Sequence, residues 1–454
     1  MTVPTESRVL DSTISMLEKH PLCDRCLGRQ FAWLSTNTSN EVRGQSLKLI
    51  LSMIADENMK SGNGEHGKTT ISLLASKGMF APAQAIAEKN SIAFSQENKC
   101  HLCSVDGQSV FEKLDETAQK ALELVKEIEF DTFLVGTVTA PILDDRQDEL
   151  RADHSLLHAE ALKSDFSREL GKKIYDILGK EVNFEKPHLV FLYDMVNDNV
   201  LVQINPIFIY GRYRKLMRGI PQSKWDCKEC KGKGCNECNG TGRRYPDSIS
   251  EYVGVITQKL TKGTRFKFHA AGREDVDALM LGDGRPFVVE VSEPQIRNPD
   301  LKALTKTINK KAKKRIQVQD LRMTSREHSQ RLKEDASTNI KEYTAIIEAD
   351  DVVSKTDLQR VEKEFSDTEI NQRTPIRVSH RRSDLVRKKR IHEIRLKKHS
   401  HKTIEAFFKV QGGTYVKELI SGDEGRTVPS IASMLGTGCV CKELNVTAVY
   451  DNTL

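Results

Sequence analysis

Eight of the ten cysteines in this chain fall into four Cys-x-x-Cys pairs, and this pairing constrains its folding more than any other feature. Two such pairs on tight turns can complete a tetrahedral zinc site with four thiolates. The sharpest case is a tandem Cys-x-x-Cys-x-Gly-x-Gly repeat, whose glycines let the backbone turn tightly and direct amides at the sulfurs. We predict one structural zinc site here, formed by Cys227, Cys230, Cys235 and Cys238.

The other two pairs, Cys23 with Cys26 and Cys100 with Cys103, are separated by 73 residues. Helix-patterned sequence such as Val42–Met53 lies between them, so the chain can fold back and bring the pairs together. We expect a second structural zinc site there, and separate reduced thiols are the alternative. The N-terminal residues MTVPTESRVL lack the apolar core of a signal peptide, which favours zinc over disulfides.

The total charge does not predict a uniformly basic protein. Lys and Arg number 70 against 64 Asp and Glu in 454 residues, so any surface that binds nucleic acid must be local. The length allows several domains, each with its own core. No apolar run approaches the ~20 residues that cross a bilayer. We therefore expect a cytoplasmic protein with no membrane partner.

The sequence between residues 110 and 218 alternates helical and strand patterns. Leu162, Phe166, Leu170 and Ile174 recur every four residues, as on a helix with one buried face. Strand-like runs follow and end in a corner where Arg and Lys alternate with Tyr, a composition that suits phosphates and base stacking. A solvated basic loop is the alternative. The candidate RNA-binding residues of this corner are Arg212, Arg214 and Lys215.

A charged corner, Gly272-Arg273-Glu274-Asp275, interrupts a strand pattern that begins near Phe266. Two apolar runs follow it, and Asp283-Gly284 between them predicts a two-residue hairpin turn. Asp275 would then lie at the end of a strand, on a rigid mount suited to a reactive carboxylate. On an extended chain Glu274 points to the opposite face from Asp275, whereas Asp277 shares its face.

The stretch from Arg377 to Lys402 has eleven Lys or Arg residues against two acids. This local excess is the best candidate for a surface that follows a phosphate backbone, with Arg381 and Arg382 among its contacts. Apolar residues punctuate the run and a clear strand pattern follows it. We therefore predict an ordered basic face, with a disordered basic linker as the alternative.

Several of these stretches, taken together, resemble one family, the archaeal tRNA pseudouridine(54/55) synthases. The resemblance covers nearly the whole chain, and the order of the motifs is more specific than any one of them. Beyond the early cysteine pairs, it includes GRYRKLMRGIPQSKW, CKECKGKGCNECNGTGR, FHAAGREDVDALMLGDGRPFVVEV, KEYTAIIEA, TPIRVSHRRSDLVRKKR and GTYVKELISGDEGRTVPS.

The resemblance implies an α+β multidomain protein. We expect an N-terminal region with the early cysteine pairs over residues 1–110 and a THUMP-like RNA-binding α/β module over 111–222. A zinc-binding clip over 223–245 and a pseudouridine synthase catalytic domain over 246–454 would follow. The catalytic domain would be a mixed sheet with helices and a central cleft.

The same resemblance implies roles for individual residues. Asp275 would be the essential carboxylate, acting either as nucleophile on the ribose or as base. Lys417 would pair with Asp275 and keep it charged. Tyr343 and Tyr415 would hold the uracil ring, with ordinary core packing as the alternative for both. Arg273 would form an ion pair with Asp275 or help to open the RNA loop.

The implied reaction is the isomerisation of uridine to pseudouridine in the T-loop of tRNA, at position 54, 55 or both. Such a reaction needs no organic cofactor, and the base must be extruded from the folded loop. We expect tRNA as the partner of a monomeric protein. Two other classes remain open: another THUMP-type tRNA-modifying enzyme, such as a thiolase or methyltransferase, and a non-catalytic zinc adaptor. The glycine-rich nucleotide loops of the former are absent from the sequence.

Overall fold

A computed structural model describes residues 8–62 and 64–450, without the side chain of Arg381. The α-helices are α1 Arg8–Lys19, α2 Asp24–Arg29, α3 Asn40–Lys60, α4 Gly64–Ala75, α5 Ala81–Lys89, α6 Leu114–Glu123, α7 Pro141–His154, α8 Leu162–Leu178, α9 Ile249–Leu260, α10 Leu301–Ala312, α11 Arg326–Glu334, α12 Lys355–Glu364, α13 Val416–Ser421 and α14 Ile431–Leu435. Short 3-10 helices cover Val110–Lys113, Asp335–Ser337 and Ile376–Arg381.

The strands form three sheets. They are β1 Ser104–Val105, β2 Gln108–Ser109, β3 Thr132–Val138, β4 Glu181–Val182, β5 Leu189–Asp194, β6 Asn199–Ile204, β7 Ile207–Lys215, β8 Arg265–Ala270, β9 Leu279–Ser292, β10 Ile316–Thr324, β11 Ile340–Ala349, β12 Thr368–Arg373, β13 Val386–Lys398, β14 Thr403–Gln411, β15 Thr427–Val428 and β16 Cys439–Val449. The described chain divides into two compact units between Asn205 and Pro206.

The first unit joins a helical region to a four-stranded mixed sheet in the order β4-β3-β5-β6. Helices α2 and α3 cross so closely that a Cβ on Gly28 would stand 1.8 Å from the carbonyl oxygen of Asn40, so only glycine fits there. The predicted helix face is confirmed, because Leu162, Phe166, Leu170 and Ile174 are all fully buried on α8.

The second unit is built on a ten-stranded mixed sheet. Nine strands follow one another as β10-β7-β9-β16-β11-β14-β13-β12-β15, and β8 pairs with β9. Strands β9 and β16 run parallel, and all other strand pairs of this sheet are antiparallel within the described residues. Two apolar clusters pack on it, and the half-buried Tyr343 touches both. The α+β class and the large mixed sheet agree with the sequence prediction.

The predicted hairpin at Asp283-Gly284 is wrong. Strand β9 runs continuously through these residues, and the true hairpin joins β8 to the second half of β9 across the charged corner. Tyr213 pairs with Arg285 and Lys215 with Met280, so residues 281–284 bulge out of the ladder opposite Arg214. The Asp-Gly dipeptide suggested a turn, and the positive φ of Gly284 (78°) instead serves this bulge.

Of the strand-like runs that follow the four-residue repeat in the sequence, the second covers Val200–Phe208 and is split between two sheets. Its first part is β6 in the first unit, and its last two residues begin β7 in the second. The unit boundary therefore precedes residue 222, at which we placed the end of the THUMP-like module. Among residues 8–62 and 64–450, no helix combines the length and apolarity that a membrane span requires.

Candidate active site

Asp275 lies on the corner between β8 and β9, half-buried at the edge of a pocket of about 320 Å³. The pocket collects side chains from distant segments of the second unit, among them 272–278, 333–343, 377–382 and 413–417. Five of the residues that we predicted to bind substrate or RNA line this pocket: Arg273, Tyr343, Arg382, Tyr415 and Lys417. The folded sheet thus brings together the predicted catalytic residue and its predicted neighbours.

A buried ion pair directly beneath the corner sets its conformation. The Glu274 carboxylate accepts a hydrogen bond from Arg285 Nε at 2.9 Å, and the side chains are only 1% and 2% exposed. The Tyr213 hydroxyl donates to the same carboxylate at 2.8 Å, and Arg285 also donates to the Ala271 carbonyl at 2.6 Å. Glu274 is thus anchored in the core, whereas Asp275 contacts Arg377 and Lys417 at the pocket, in agreement with the different directions expected for the two side chains.

Two further buried side chains fix the backbone of the corner. Gln222 donates to the Gly272 carbonyl oxygen at 2.9 Å. Lys215 donates to the carbonyl oxygens of Asp275 at 2.9 Å and Val276 at 3.1 Å. Burial lowers the pKa of Lys215 to about 8. Because Lys215 is fully buried and these carbonyls occupy it, it stabilises the corner and offers no surface to RNA.

The strongest ion pair of Asp275 is with Arg377, a partner that the sequence did not reveal. The Arg377 guanidinium stands 2.9 Å from Asp275 Oδ1 and 2.5 Å from the buried Glu418 carboxylate. Burial acts to lower the pKa of Arg377, but Glu418 and Asp275 raise it above its usual value. Arg377 is therefore a permanent cation, held in place by one acid and directed at another.

Lys417 forms ion pairs with two carboxylates. Its Nζ is 2.7 Å from Asp277 and 3.6 Å from Asp275 Oδ2. Burial acts to raise the pKa of Asp277, yet the hydrogen bonds from Lys417 lower it overall. The expected contact between Lys417 and Asp275 is present, but the closer partner is Asp277, which shares the face of Asp275.

The two tyrosines occupy different parts of the pocket. Tyr415 is fixed through its backbone by Gln372, which accepts from the Tyr415 amide at 2.7 Å and donates to its carbonyl at 3.0 Å. The Tyr415 hydroxyl accepts from Arg382 at 2.9 Å. Tyr343 projects from β11, and burial raises the pKa of its hydroxyl to about 12, so it is a neutral phenol at physiological pH.

Lys341, two residues before Tyr343 on β11, also lines the pocket. It is 5% exposed and donates to the Ala336 carbonyl oxygen at 3.1 Å. Burial, together with the charges of Arg285 and Lys389, lowers the pKa of this amine to about 7, although Glu274 opposes the shift. The pocket floor therefore carries an amine that is largely uncharged above neutral pH.

The other predicted RNA-binding residues are Arg212, Arg214 and Arg381. Arg212 donates to the carbonyl oxygens of Gly284 at 2.9 Å and Val449 at 2.8 Å, so it ties β7 to β9 and β16. Arg214 donates to Gln317 on the neighbouring strand β10. Both lie on β7 in the second unit and not in the first. The Arg381 side chain lies outside the described part of the structure.

The basic run forms the ordered strand β13, as predicted. Ile391, Ile394 and Leu396 are buried on one face. On the other face several cations have acidic partners, including Lys388 with Glu369 at 2.9 Å. Lys389 is turned inward to the Gly412 carbonyl oxygen at 2.7 Å. This strand therefore exposes less unpaired positive charge than its composition indicates.

The eight paired cysteines form two clusters of four, each with its sulfurs within 4.8 Å of one another. The clusters are Cys23, Cys26, Cys100 and Cys103, and Cys227, Cys230, Cys235 and Cys238. Backbone amides point at the sulfurs, as from Gly234 to Cys230 and from Gly242 to Cys238, each at 3.1 Å. Four thiols at this spacing fit a tetrahedral Zn²⁺ ion.

The N-terminal cluster has a buried cation beside it. Arg29 is fully buried, and none of its three guanidinium nitrogens has a hydrogen-bond partner among the residues that the structure describes. Burial acts to lower the pKa of Arg29, whereas the thiols Cys26, Cys100 and Cys103 and the carboxyl of Asp165 raise it. A zinc ion with four thiolates carries a net charge of −2, so an otherwise unpaired arginine fits such a centre.

Comparison with known proteins identifies related sequences along the whole chain. The family model described as "Pus10, C-terminal" matches residues 208–450, and "Pus10 THUMP domain, archaeal" matches residues 117–194. The tRNA pseudouridine synthase Pus10 of Methanocaldococcus jannaschii is 39% identical, over 99% of this chain and 97% of the relative. Its counterpart in Methanothermobacter marburgensis is 40% identical, over 97% and 98%.

Solved structures are less similar. A Cbf5-Nop10-Gar1 complex aligns with 43% of this chain and 44% of its own chain, at 20% identity and a TM-score of 0.28. This similarity is too low to support a conclusion about the fold.

The ion pair beneath the corner yields a stability prediction. We expect Glu274→Met to lower the free energy of unfolding by about 3–5 kcal/mol, because it leaves the buried Arg285 charge without its carboxylate. Glu274→Met combined with Arg285→Met removes both charges and should recover most of that loss. Urea unfolding of the wild type, both single variants and the double variant gives the coupling energy. Additive losses would contradict the role of the pair.

Lys341 yields a pH prediction. Its folded-state pKa, about 7, lies below the value near 10.4 of an unfolded chain. Between these values the unfolded state binds more protons, so stability rises with pH. From pH 7 to pH 9 the free energy of unfolding should rise by ~2 kcal/mol more in the wild type than in Lys341→Met. Lys215 is common to both proteins, so its titration cancels. Equal pH dependence in urea unfolding would refute the assignment.

Proposed function

The chain belongs to the Pus10 family of tRNA pseudouridine synthases, and we propose that it isomerises uridine in the T-loop of tRNA, at position 54, 55 or both, with Asp275 as its catalytic carboxylate. The proposal depends on one observation. The carboxylate of Asp275 lines the pocket on a corner that a buried ion pair fixes, with Arg377 and Lys417 beside it and two tyrosines in the same lining. This arrangement suits one reactive group acting on a planar base.

The reaction breaks the bond between ribose C1′ and uracil N1 and forms a bond between C1′ and C5. Asp275 either adds to C1′ as a nucleophile or removes the C2′ proton to give a glycal. In both routes the uracil rotates and its C5 bonds to C1′; this displaces Asp275 from C1′ in the first route and is accompanied by return of the proton to C2′ in the second. C5 then loses a proton and N1 gains one. The net change is an isomerisation, so no oxidant, reductant or group donor is consumed.

Asp275 Oδ2 is the oxygen better placed to react. Oδ1 is held by Arg377 at 2.9 Å, whereas Oδ2 has the longer contact of 3.6 Å with Lys417. The two cations stabilise the carboxylate when it re-forms after each turnover. The ring of Tyr343 stacks on the base, and its hydroxyl, a neutral phenol, donates a hydrogen bond. Tyr415 forms the opposite wall of the uridine pocket.

The target uridine lies within a folded loop, so it must be extruded into the pocket. We propose that a central cleft of the second unit admits the arm under attack, with Arg382 at its rim. The module matched by the THUMP family model contacts another part of the same tRNA. Recognition of RNA helices rests on backbone and shape, which suits two separate contacts made by a monomeric cytoplasmic enzyme.

We propose that both thiol clusters hold structural zinc. Bound zinc would link the turns that carry the cysteines and supply folding free energy without taking part in the reaction. At the N-terminal cluster, Arg29 would balance part of the charge of the tetrathiolate. At the second cluster, the ion would close the clip (residues 223–245).

The catalytic assignment is tested with an unmodified tRNA transcript and no added cofactor. Pseudouridine is mapped by carbodiimide-dependent primer extension. We expect Asp275→Asn to lower the single-turnover rate by ~10³-fold or more, since it removes the reacting group. Asp277→Asn is the matched control: it lies two residues away and removes the closer partner of Lys417, and we expect a loss of about tenfold or less.

Two results would refute the assignment. Undiminished product from Asp275→Asn would exclude this carboxylate, and a larger loss from Asp277→Asn would transfer the role to its neighbour. Pseudouridine formed outside the T-loop would support the proposed reaction and contradict the proposed position.

The role of Arg29 is tested by metal release. We expect Arg29→Met to release one equivalent of zinc to a chelator ~10-fold faster than the wild type, with the second equivalent unchanged. With zinc bound, the wild type should be more stable than Arg29→Met. After complete chelation the variant should be the more stable protein, because the metal-free wild type then retains a buried unpaired charge. Thermal unfolding of the loaded and stripped proteins measures this reversal. Identical zinc release from both proteins would contradict the charge-balancing role.

A further inference from the structure

A group of aromatic and cationic side chains borders the Asp275 pocket on the side of the clip. The Arg273 guanidinium lies 4.8 Å from the centroid of the Trp225 ring. The Arg244 guanidinium lies 5.2 Å from Trp225 and 5.5 Å from Tyr245, and these two rings meet edge to face at 5.5 Å. We call these four residues the aromatic–cation cluster.

The cluster is open to solvent although it is rich in aromatic surface. Arg244 and Arg273 are exposed, Trp225 and Tyr245 are half-buried, and Trp225 contributes to the lining of the pocket. Arg273 immediately precedes Glu274, whose inward anchoring directs Arg273 outward. The cluster is thus attached to the same rigid corner as the proposed catalytic carboxylate.

The clip determines where Trp225 stands. The Arg244 amide donates to the Trp225 carbonyl oxygen at 3.0 Å, and the Cys227 amide donates to the Gly242 carbonyl oxygen at 2.8 Å. Asp226 and Arg243 form a bridge between these two bonds. The two ends of the clip are therefore paired at its base, and its four thiols lie beyond that base.

RNA has the chemical groups that these side chains can bind. Aromatic rings and arginine planes stack on nucleobases of any sequence, and arginine also pairs with phosphate. Extruding one uridine from a tRNA loop leaves its neighbours without their stacking partner. A surface that replaces this lost stacking must lie beside the pocket that receives the extruded base, and the cluster does.

We propose that the aromatic–cation cluster is a stacking platform for a nucleobase adjacent to the target uridine, and that metal binding in the clip holds Trp225 in position for it. This inference rests on the proposed function, since it places RNA at the Asp275 pocket. It assigns Arg273 and the clip a task in holding the opened loop.

The chain has two tryptophans, Trp33 and Trp225, so Trp33→Phe leaves Trp225 as the single indole reporter. The first test titrates this variant with an unmodified tRNA transcript. Stacking of a base on the indole should quench its emission by at least ~30%, saturating together with binding measured by filter retention. Saturated binding with unchanged Trp225 emission would overturn the platform.

The second test compares substitutions at the platform. We expect Trp225→Phe, which keeps a ring, to retain the single-turnover rate within about threefold, and Trp225→Leu to lose ~10-fold or more. Arg244→Gln should also slow the reaction, by about fivefold. Its matched control is Lys224→Gln, which removes the same charge from an exposed residue paired with Asp226 at 3.2 Å. Equal rates for Trp225→Leu and Trp225→Phe would overturn the proposal.

The third test addresses the clip. In the Trp33→Phe background, Cys235→Ser should bind one zinc fewer, shift Trp225 emission to the red and abolish its quenching by tRNA. Loss of that zinc with unaltered emission and quenching would overturn the role of the clip. Failure of the proposed function is separable, because a protein that binds tRNA but makes no pseudouridine still reports stacking through Trp225.

Discussion

The buried pair between Glu274 and Arg285 is the interaction on which the site depends. Successive residues of an extended segment point to opposite faces, so anchoring Glu274 in the core turns both of its neighbours outward. Arg273 reaches the rim beside Trp225, and Asp275 reaches the pocket. A buried ion pair is costly to desolvate, and here two donors, the Tyr213 hydroxyl and Arg285 Nε, offset that cost while fixing one geometry.

Local patterns predicted those parts of the structure that are decided locally. The Cys-x-x-Cys spacing predicted which thiols would cluster, and the 73 intervening residues did not prevent Cys23 from meeting Cys103, since sulfurs on rigid turns need only be brought together. Strand alternation predicted the opposite directions of Glu274 and Asp275. The four-residue repeat on α8 predicted its buried face. Each of these inferences uses one short segment and one geometric rule.

The inferences that failed required knowledge of pairing between distant segments. Asp283-Gly284 has the sequence of a two-residue turn, but β7 and β8 both pair with the apolar run that follows it, so these residues form a bulge in β9. Lys215 belongs to a basic stretch, yet the corner's carbonyls draw it into the core. Arg377 is 102 residues from Asp275 in sequence, and its motif shows a basic residue without showing its partner.

The resulting distribution of charge suits the role proposed for Asp275, which requires a carboxylate that is both fixed and reactive. Arg377 and Lys417 approach Asp275, but each also has a second acid, Glu418 or Asp277. Neither cation therefore forms a bidentate ion pair with Asp275. The shared contacts leave Oδ2 as the more weakly held oxygen. If both cations paired with Asp275 alone, its negative charge would be stabilised more strongly, and either proposed step, attack on the ribose or removal of the C2′ proton, would have a higher barrier. In the proposed reaction, sharing the cations with neighbouring acids would keep Asp275 oriented without making it inert.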